Sequence, residues 1–246
     1  MMRAVRDVMG MPWTLDVRDH DDEPAMADEV FAELERIDTC YSPFKPRSVI
    51  SRLGRGELAE DEAAPEVKAV LALCRLYERQ TDGYFDAWAQ GRLDPCGLVK
   101  GWAIDRACGI LDRSGCRNYM IDAAGDVAVR GHRGDGSPWR VGIRHPVERD
   151  RVARVIMATD LAVATSGTYE RGPHIYDPHD GEPVTDLLSV TVIGHDIVEV
   201  DVFATAAFAM GKRGLELIES MPHLEGYSID TGLRGTWTSG FAAWCA

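Results

Sequence analysis

Apolar residues recur at helical spacing through the first hundred or so positions and at strand spacing after them. In residues 24–38, Val30, Phe31, Leu34 and Ile37 share one face, Pro24 suits a first turn, and Asp22 stands where a cap is expected. Residues 65–80 repeat the pattern: Pro65 opens, Val67, Val70, Leu71, Cys74 and Tyr77 form the stripe, and Gly83 follows the end. A third helix is predicted over 101–113, with Ile104, Ala107 and Leu111 inward and Gly115 as the stop. The short apolar runs 119–121, 127–129, 139–143, 155–157, 161–164 and 188–193, separated by Gly, Asp and Pro, predict strands. Residues 201–210 read as a buried helix ending at Gly211, and the tail from Gly226 carries strand-like pieces. Helices first, then clustered strands, then helix and strands predict an α+β fold rather than a regular doubly wound sheet.

A chain of 246 residues, 45% apolar, has enough material for one globular domain over 1–246 or two closely packed lobes. The net charge of −13, with no basic stripe to offset it, argues against nucleic acid as a partner. It would equally repel an anionic dinucleotide, so a pyrophosphate site here needs a metal ion or a local lysine. No run approaches the roughly 20 apolar residues of a membrane span, so no membrane insertion is expected. The opening Met1-Met2-Arg3-Ala4-Val5-Arg6-Asp7 has no apolar core of a signal peptide, which leads us to expect a cytoplasmic protein. Cysteines at 40, 74, 96, 108, 116 and 245 form no Cys-x-x-Cys pair, and reduced thiols are expected.

Four segments have residues suited to chemistry. In Asp94-Pro95-Cys96-Gly97-Leu98-Val99-Lys100-Gly101, a carboxylate and an ammonium flank a short glycine-containing loop that feeds a helix, a setting that favours anions but equally fits a loop with solvated charges. The spacing is not that of a P-loop. Asp201 and Thr205, at i and i+4 within an apolar run, offer hard oxygen ligands suited to Mg²⁺; alternatively Asp201 caps the helix and Thr205 bonds back to the preceding turn. Thr165-Ser166-Gly167 ends an apolar strand, and His174, followed by Ile175, Asp177 and Pro178, is either a general base or a structural histidine. A serine-hydrolase reading of Ser166 fails because Ala164 and Thr168 stand where a nucleophile elbow has glycines. In Thr81-Asp82-Gly83-Tyr84-Phe85-Asp86, the aromatics suit either stacking on a ligand or core packing.

In this order, these segments resemble the ApbE family of FAD:protein FMN transferases over nearly the whole chain. Met9-Gly10 resembles the family's opening Met-Gly-Thr; Tyr41-Ser42 with Ser48 to Leu53 resembles its Ser-Glu-(Ile/Leu)-Ser-Arg-Leu region; Thr81 to Asp86, Asp94 to Gly101, Ala124-Gly125-Asp126, Thr165 to Gly167, His174 to Pro178 and Asp201-x-x-x-Thr205 follow. Met11, Val49, Gly54, Pro95, Cys96 and Ala124 depart from the family pattern, and the segment between Asp86 and Asp94 is much shorter than in typical members, where it helps to enclose adenine.

The resemblance implies an α+β fold of two closely packed lobes with a mainly antiparallel or mixed sheet and flanking helices. It implies Mg²⁺-dependent cleavage of FAD, AMP as leaving group, and FMN transferred to a Thr or Ser hydroxyl of an acceptor protein bearing a Ser/Thr-Gly-Ala/Ser-Thr motif. It assigns the metal to Asp201, Thr205 and the Gly97 carbonyl, and catalysis to Lys100 and His174. FAD contacts fall to Met9, Tyr41, Tyr84, Phe85, Asp86, Asp94, Lys100, Thr165, Ser166, Gly167, His174 and Ile175. An FAD pyrophosphatase using water as acceptor and a non-catalytic FAD-binding protein are the alternatives. The nearest internal match to the acceptor motif, Ser166-Gly167-Thr168-Tyr169, ends in Tyr, so the acceptor is expected to be another protein.

Overall fold

Two tight turns set the frame. Strand β1 (Met2–Val8) folds back on β2 (Met11–Val17) through Met9 and Gly10, both with positive φ (56° and 73°). Strand β3 (Tyr119–Ala123) returns as β4 (Asp126–Arg130) through Ala124 and Gly125, again both positive (51° and 102°). Two-residue loops of this handedness match the natural twist of antiparallel strands. The computed structural model describes residues 1–20, 24–148, 150–168 and 175–246.

An eight-stranded antiparallel sheet runs in the order β1-β2-β3-β4-β7-β8-β9-β10, with β7 at Leu161–Gly167, β8 at Leu187–Gly194, β9 at Glu225–Asp230 and β10 at Gly235–Trp237. Strands β5 (Trp139–Arg144) and β6 (Val152–Ala158) form a separate hairpin. Because successive side chains point to opposite faces, the sheet serves two cores. Trp13, Leu15, Ile121, Ala128, Ala164 and Val192 pack on one side with α1 (Pro24–Tyr41), α3 (Pro65–Gln80), α4 (Cys96–Arg113) and α5 (Ile197–Ala209). Val127, Val129, Leu161, Val163, Ile193 and Ile229 pack on the other side with Trp139, Ile143 and Ile156 of the hairpin and with Phe241. The described residues also include short helices α2 (Val49–Gly54) and α6 (Gly214–Glu219) and several 3-10 turns.

The α+β class with antiparallel strands and flanking helices is the observed one. Several boundaries move. Helix α1 continues to Tyr41, and Asp22 lies outside the described residues. Helix α4 begins at Cys96 rather than at 101, so the segment read as a loop before the helix is its first turn. Helix α5 starts at Ile197 and is capped by Asp196, whose carboxylate accepts the Val198 and Glu199 amides at 2.8 and 3.3 Å. Asp201 is therefore not the cap; it sits in the second turn. Among the described residues, no helix is long and apolar enough to cross a membrane.

Candidate active site

The strand register places several of the singled-out segments at one end of the sheet. The β1–β2 turn lies beside the β3–β4 turn, because β2 and β3 pair with Trp13 opposite Ala123. The end of β7 joins them: the Thr165 amide donates to Asp126 Oδ1 at 3.0 Å, and Gly167 pairs with Ser189. Helices α4 and α5 cross this end in opposite directions, with Gly97 against Thr205 and Gly101 against Asp201.

Glycine makes that crossing possible. A Cβ at Gly101 would lie 2.7 Å from the Ile197 carbonyl oxygen and 3.0 Å from Asp201 Cβ; one at Gly97 would lie 3.2 Å from Thr205 Oγ1 and 3.3 Å from the Phe85 ring. These glycines permit helix–helix approach rather than loop flexibility. The Gly101 amide then donates to Asp201 Oδ2 at 2.8 Å, tying the two helices together at the carboxylate.

Asp201 is 4% exposed. Burial pushes its pKa well above the usual carboxylate range, and the neighbouring Asp126 adds to the rise, while Lys100 and the Gly101 amide act the other way. Thr205 presents Oγ1 one turn later, 3.3 Å from Ser166 Oγ at the end of β7. Lys100 reaches across to Asp126, Nζ to Oδ2 at 2.5 Å. The fold thus gathers Gly97, Lys100, Ser166, Asp201 and Thr205 into one cluster.

Asp126, at 1% exposure, belongs to that cluster, although the sequence marked it only as the end of a turn. The available signal was its place as first residue of a strand behind a two-residue turn, in step with Ala128, which faces the helices.

Other candidates take different stations. Phe85 (3% exposed) packs in the helix-side core with its ring at Gly97; Thr81 Oγ1 accepts its amide at 3.0 Å and donates to the Tyr77 carbonyl at 2.8 Å. The half-buried Tyr84 accepts a hydrogen bond from Arg213 at 2.8 Å and meets the His179 ring edge-on at 4.5 Å. Asp86 closes its own turn by accepting the Trp88 amide at 2.7 Å, and Asp94 anchors the start of α4 by accepting the Cys96 amide at 3.1 Å. Met9 and Ile175 are half-buried against the helix-side core.

Two candidates do not present their side chains as expected. Tyr41 is 1% exposed, donates to Glu66 at 3.2 Å and packs on Trp102 at 5.2 Å, so its ring ties α1, α3 and α4 together instead of lining an open surface. Thr165 falls on the opposite face of β7 from Ser166, as strand alternation requires, and its hydroxyl bonds Thr191 at 2.9 Å on the hairpin side; only its amide serves the cluster. His174 lies outside the described residues.

Known proteins share this arrangement of elements. The flavin transferase ApbE from Vibrio cholerae superposes with a TM-score of 0.86 at 22% identity, covering 99% of this chain and 98% of that one. The ApbE protein from Thermotoga maritima gives 0.85 at 22% identity, with the same coverage of 99% and 98%. In sequence, a Vibrio cholerae protein named FAD:protein FMN transferase is 33% identical over 162 residues, 61% of this chain and 48% of its own. A Klebsiella pneumoniae protein of the same name is 30% identical over 159 residues, 60% of this chain and 45% of its own. The chain thus spans about half the length of the curated relatives it matches. The model of the ApbE family matches residues 9–91 and 88–228, so both helices of the cluster and the strands beneath them fall within the matched region, and the chain belongs to the ApbE family.

Proposed function

We propose that this chain is an FAD:protein FMN transferase. It cleaves the pyrophosphate of FAD, releases AMP and attaches FMN through its phosphate to a Thr or Ser hydroxyl of an acceptor protein. The observation that carries the reading is the all-oxygen cluster of buried Asp201 with half-buried Thr205 and Ser166 beside Lys100, in a chain whose net charge is −13.

The donor set fits Mg²⁺. Carboxylate and hydroxyl oxygens are the ligands hard cations prefer. Among the described residues, Asp126 and Asp201 are buried beside the Lys100 ammonium, two carboxylates to one cation, an excess of negative charge that a divalent cation reverses. Asp201, Thr205 and the Gly97 carbonyl would hold it. Bound there, Mg²⁺ supplies neutralisation of pyrophosphate charge.

The chain's own groups do the rest. Lys100 places a second positive charge at the phosphates. His174 takes the proton of the acceptor hydroxyl as that oxygen bonds to the FMN phosphorus. The phosphorus–oxygen bond to the adenylate breaks, and AMP leaves with the bridging oxygen. Tyr84, Phe85, Asp86, Asp94, Met9 and Ile175 shape the FAD cleft, and β7 contributes Ser166, the Gly167 backbone and the Thr165 amide. The acceptor carries a Ser/Thr-Gly-Ala/Ser-Thr segment and is a protein other than this chain, met in the cytoplasm.

The test is incubation with FAD, Mg²⁺ and a domain bearing that segment, followed by mass spectrometry. An FMN increment on the acceptor, lost in EDTA, is expected. Free FMN and AMP with an unmodified acceptor would make the chain a pyrophosphatase, and intact FAD would make it a carrier.

A further inference from the structure

We propose that Asp126 is the positioning residue of this site: its carboxylate holds the Lys100 ammonium on the strand side of the cleft and leaves Asp201 to the cation. The inference rests on the transferase reading, because it is the phosphate charge of FAD that Lys100 is placed to meet.

Asp126 is suited to the task by where the fold puts it. The Ala124–Gly125 turn is held by the Gly125 amide, which donates to Asp122 Oδ1 at 2.8 Å, so the first residue of β4 has a defined direction. From there one oxygen accepts the Thr165 amide at 3.0 Å, and the other, which accepts no hydrogen bond among the described residues, lies 2.5 Å from Lys100 Nζ as an ion pair. A single buried carboxylate therefore joins α4, β4 and the strand end that carries Ser166. Lysine has a long, freely rotating stem, and anchoring its head on Asp126 means that its rotamers are already ordered when FAD arrives.

The alternative partner explains why anchoring matters. Lys100 is close enough to Asp201 to act on its charge. Without Asp126, Asp201 and Asp122 are the described carboxylates on whose charge Lys100 acts, and pairing with Asp201 would place an ammonium where a metal is to bind. Asp126 thus separates two tasks, phosphate neutralisation by Lys100 and cation binding by Asp201, within one small volume.

A double-mutant cycle tests this. Asp126→Asn keeps an oxygen for the Thr165 amide but removes the charge that holds Lys100; Lys100→Met removes the ammonium. Four proteins are compared: wild type, each single variant and the double. Transfer kcat and KM are measured with Mg²⁺, FAD affinity is measured in EDTA by flavin fluorescence, and Lys100 acylation by an amine-reactive reagent is followed by peptide mass spectrometry.

Asp126→Asn is expected to lower kcat roughly 10- to 100-fold, the loss typical of a misplaced catalytic group. It should also weaken FAD binding in EDTA and speed Lys100 labelling. Added to Lys100→Met, it should cost less than about threefold, because the two act as one unit. Asp126→Glu, which keeps the charge on a longer stem, should recover part of the activity and of the labelling protection, and serves the cycle if the Asn variant does not fold. Additive losses in the double variant, or Lys100 labelling unchanged by Asp126→Asn, would overturn the inference. Absence of FAD cleavage by the wild type would instead overturn the transferase reading, and the labelling arm would still report whether Asp126 holds Lys100.

Discussion

Replacing Asp201 by Asn should remove activity and at the same time make the protein more stable. Asp201 is 4% exposed, and its charged form is disfavoured first by burial and then by Asp126. Asparagine retains an oxygen for the Gly101 amide, which Asp201 now accepts at 2.8 Å, and removes a charge that Asp126 repels, leaving an N–H that can donate to that carboxylate. Relief of a poorly compensated buried charge by a neutral isostere is worth about 1–2 kcal/mol. For a chain of this size that raises Tm by about 2–8 °C. The sign of the pH dependence follows from the raised pKa. The folded state binds this proton more tightly than the unfolded state does. The penalty is therefore absent below the ordinary aspartate range and grows as pH rises through the folded value. Thermal melts in EDTA should show the gap between variant and wild type widening from acidic to neutral pH. Adding Mg²⁺ should raise the wild-type Tm and leave the variant unmoved. A variant that melts below wild type at neutral pH in EDTA would refute the reasoning, because Asp201 would then be a net stabiliser.

The remaining predictions concern the crossing of α4 and α5 and the faces of β7. Gly101→Ala drives a methyl to 2.7 Å from the Ile197 carbonyl oxygen; forced separation of the helices should cost about 1–3 kcal/mol by denaturant unfolding and abolish transfer, and a variant with wild-type stability would contradict the packing argument. Thr165→Val should leave FAD affinity and kcat near wild type and cost about 1 kcal/mol of stability through the lost hydroxyl bond to Thr191. Ser166→Ala, one position along, should lower kcat with little loss of stability; the opposite ranking in steady-state assays would place the wrong face toward the substrate.

Most elements were legible because their signals are local. The stripe Val67, Val70, Leu71, Cys74 and Tyr77, with Pro65 in front, gave α3 its bounds without help from the rest of the chain. The first turn of α4 was not legible: Gly97 and Gly101 have the composition of a loop, and only the presence of Thr205 and Asp201 opposite them explains why glycines stand in a helix. The start of α5 was misplaced for a related reason, since an apolar run from Ile197 hides the cap at Asp196 and makes Asp201 the conspicuous carboxylate. Strand β1 was missed because Arg3, Arg6 and Asp7 break its apolar alternation. In the site, the residue types were readable but not their faces. Thr165 and Ser166 looked equivalent in sequence, yet the period of two sends them to opposite sides of the sheet. Asp126 became a member of the cluster only through partners on β7 and α4.

The link between Gly101 and Asp201 spans 100 positions, and that between Asp126 and Thr165 spans 39. Such non-local contacts close long loops, and folds rich in them form slowly. A cut anywhere in the segment between β4 and β5 leaves α4 with Asp126 on one fragment and α5 with Thr205 on the other. Neither fragment contains the cleft, and only their reassociation would restore it. Whatever binds there therefore draws on the free energy of the whole folded chain and returns it by mass action, so such a ligand would act as a chaperone for the entire protein rather than as a brace for one loop.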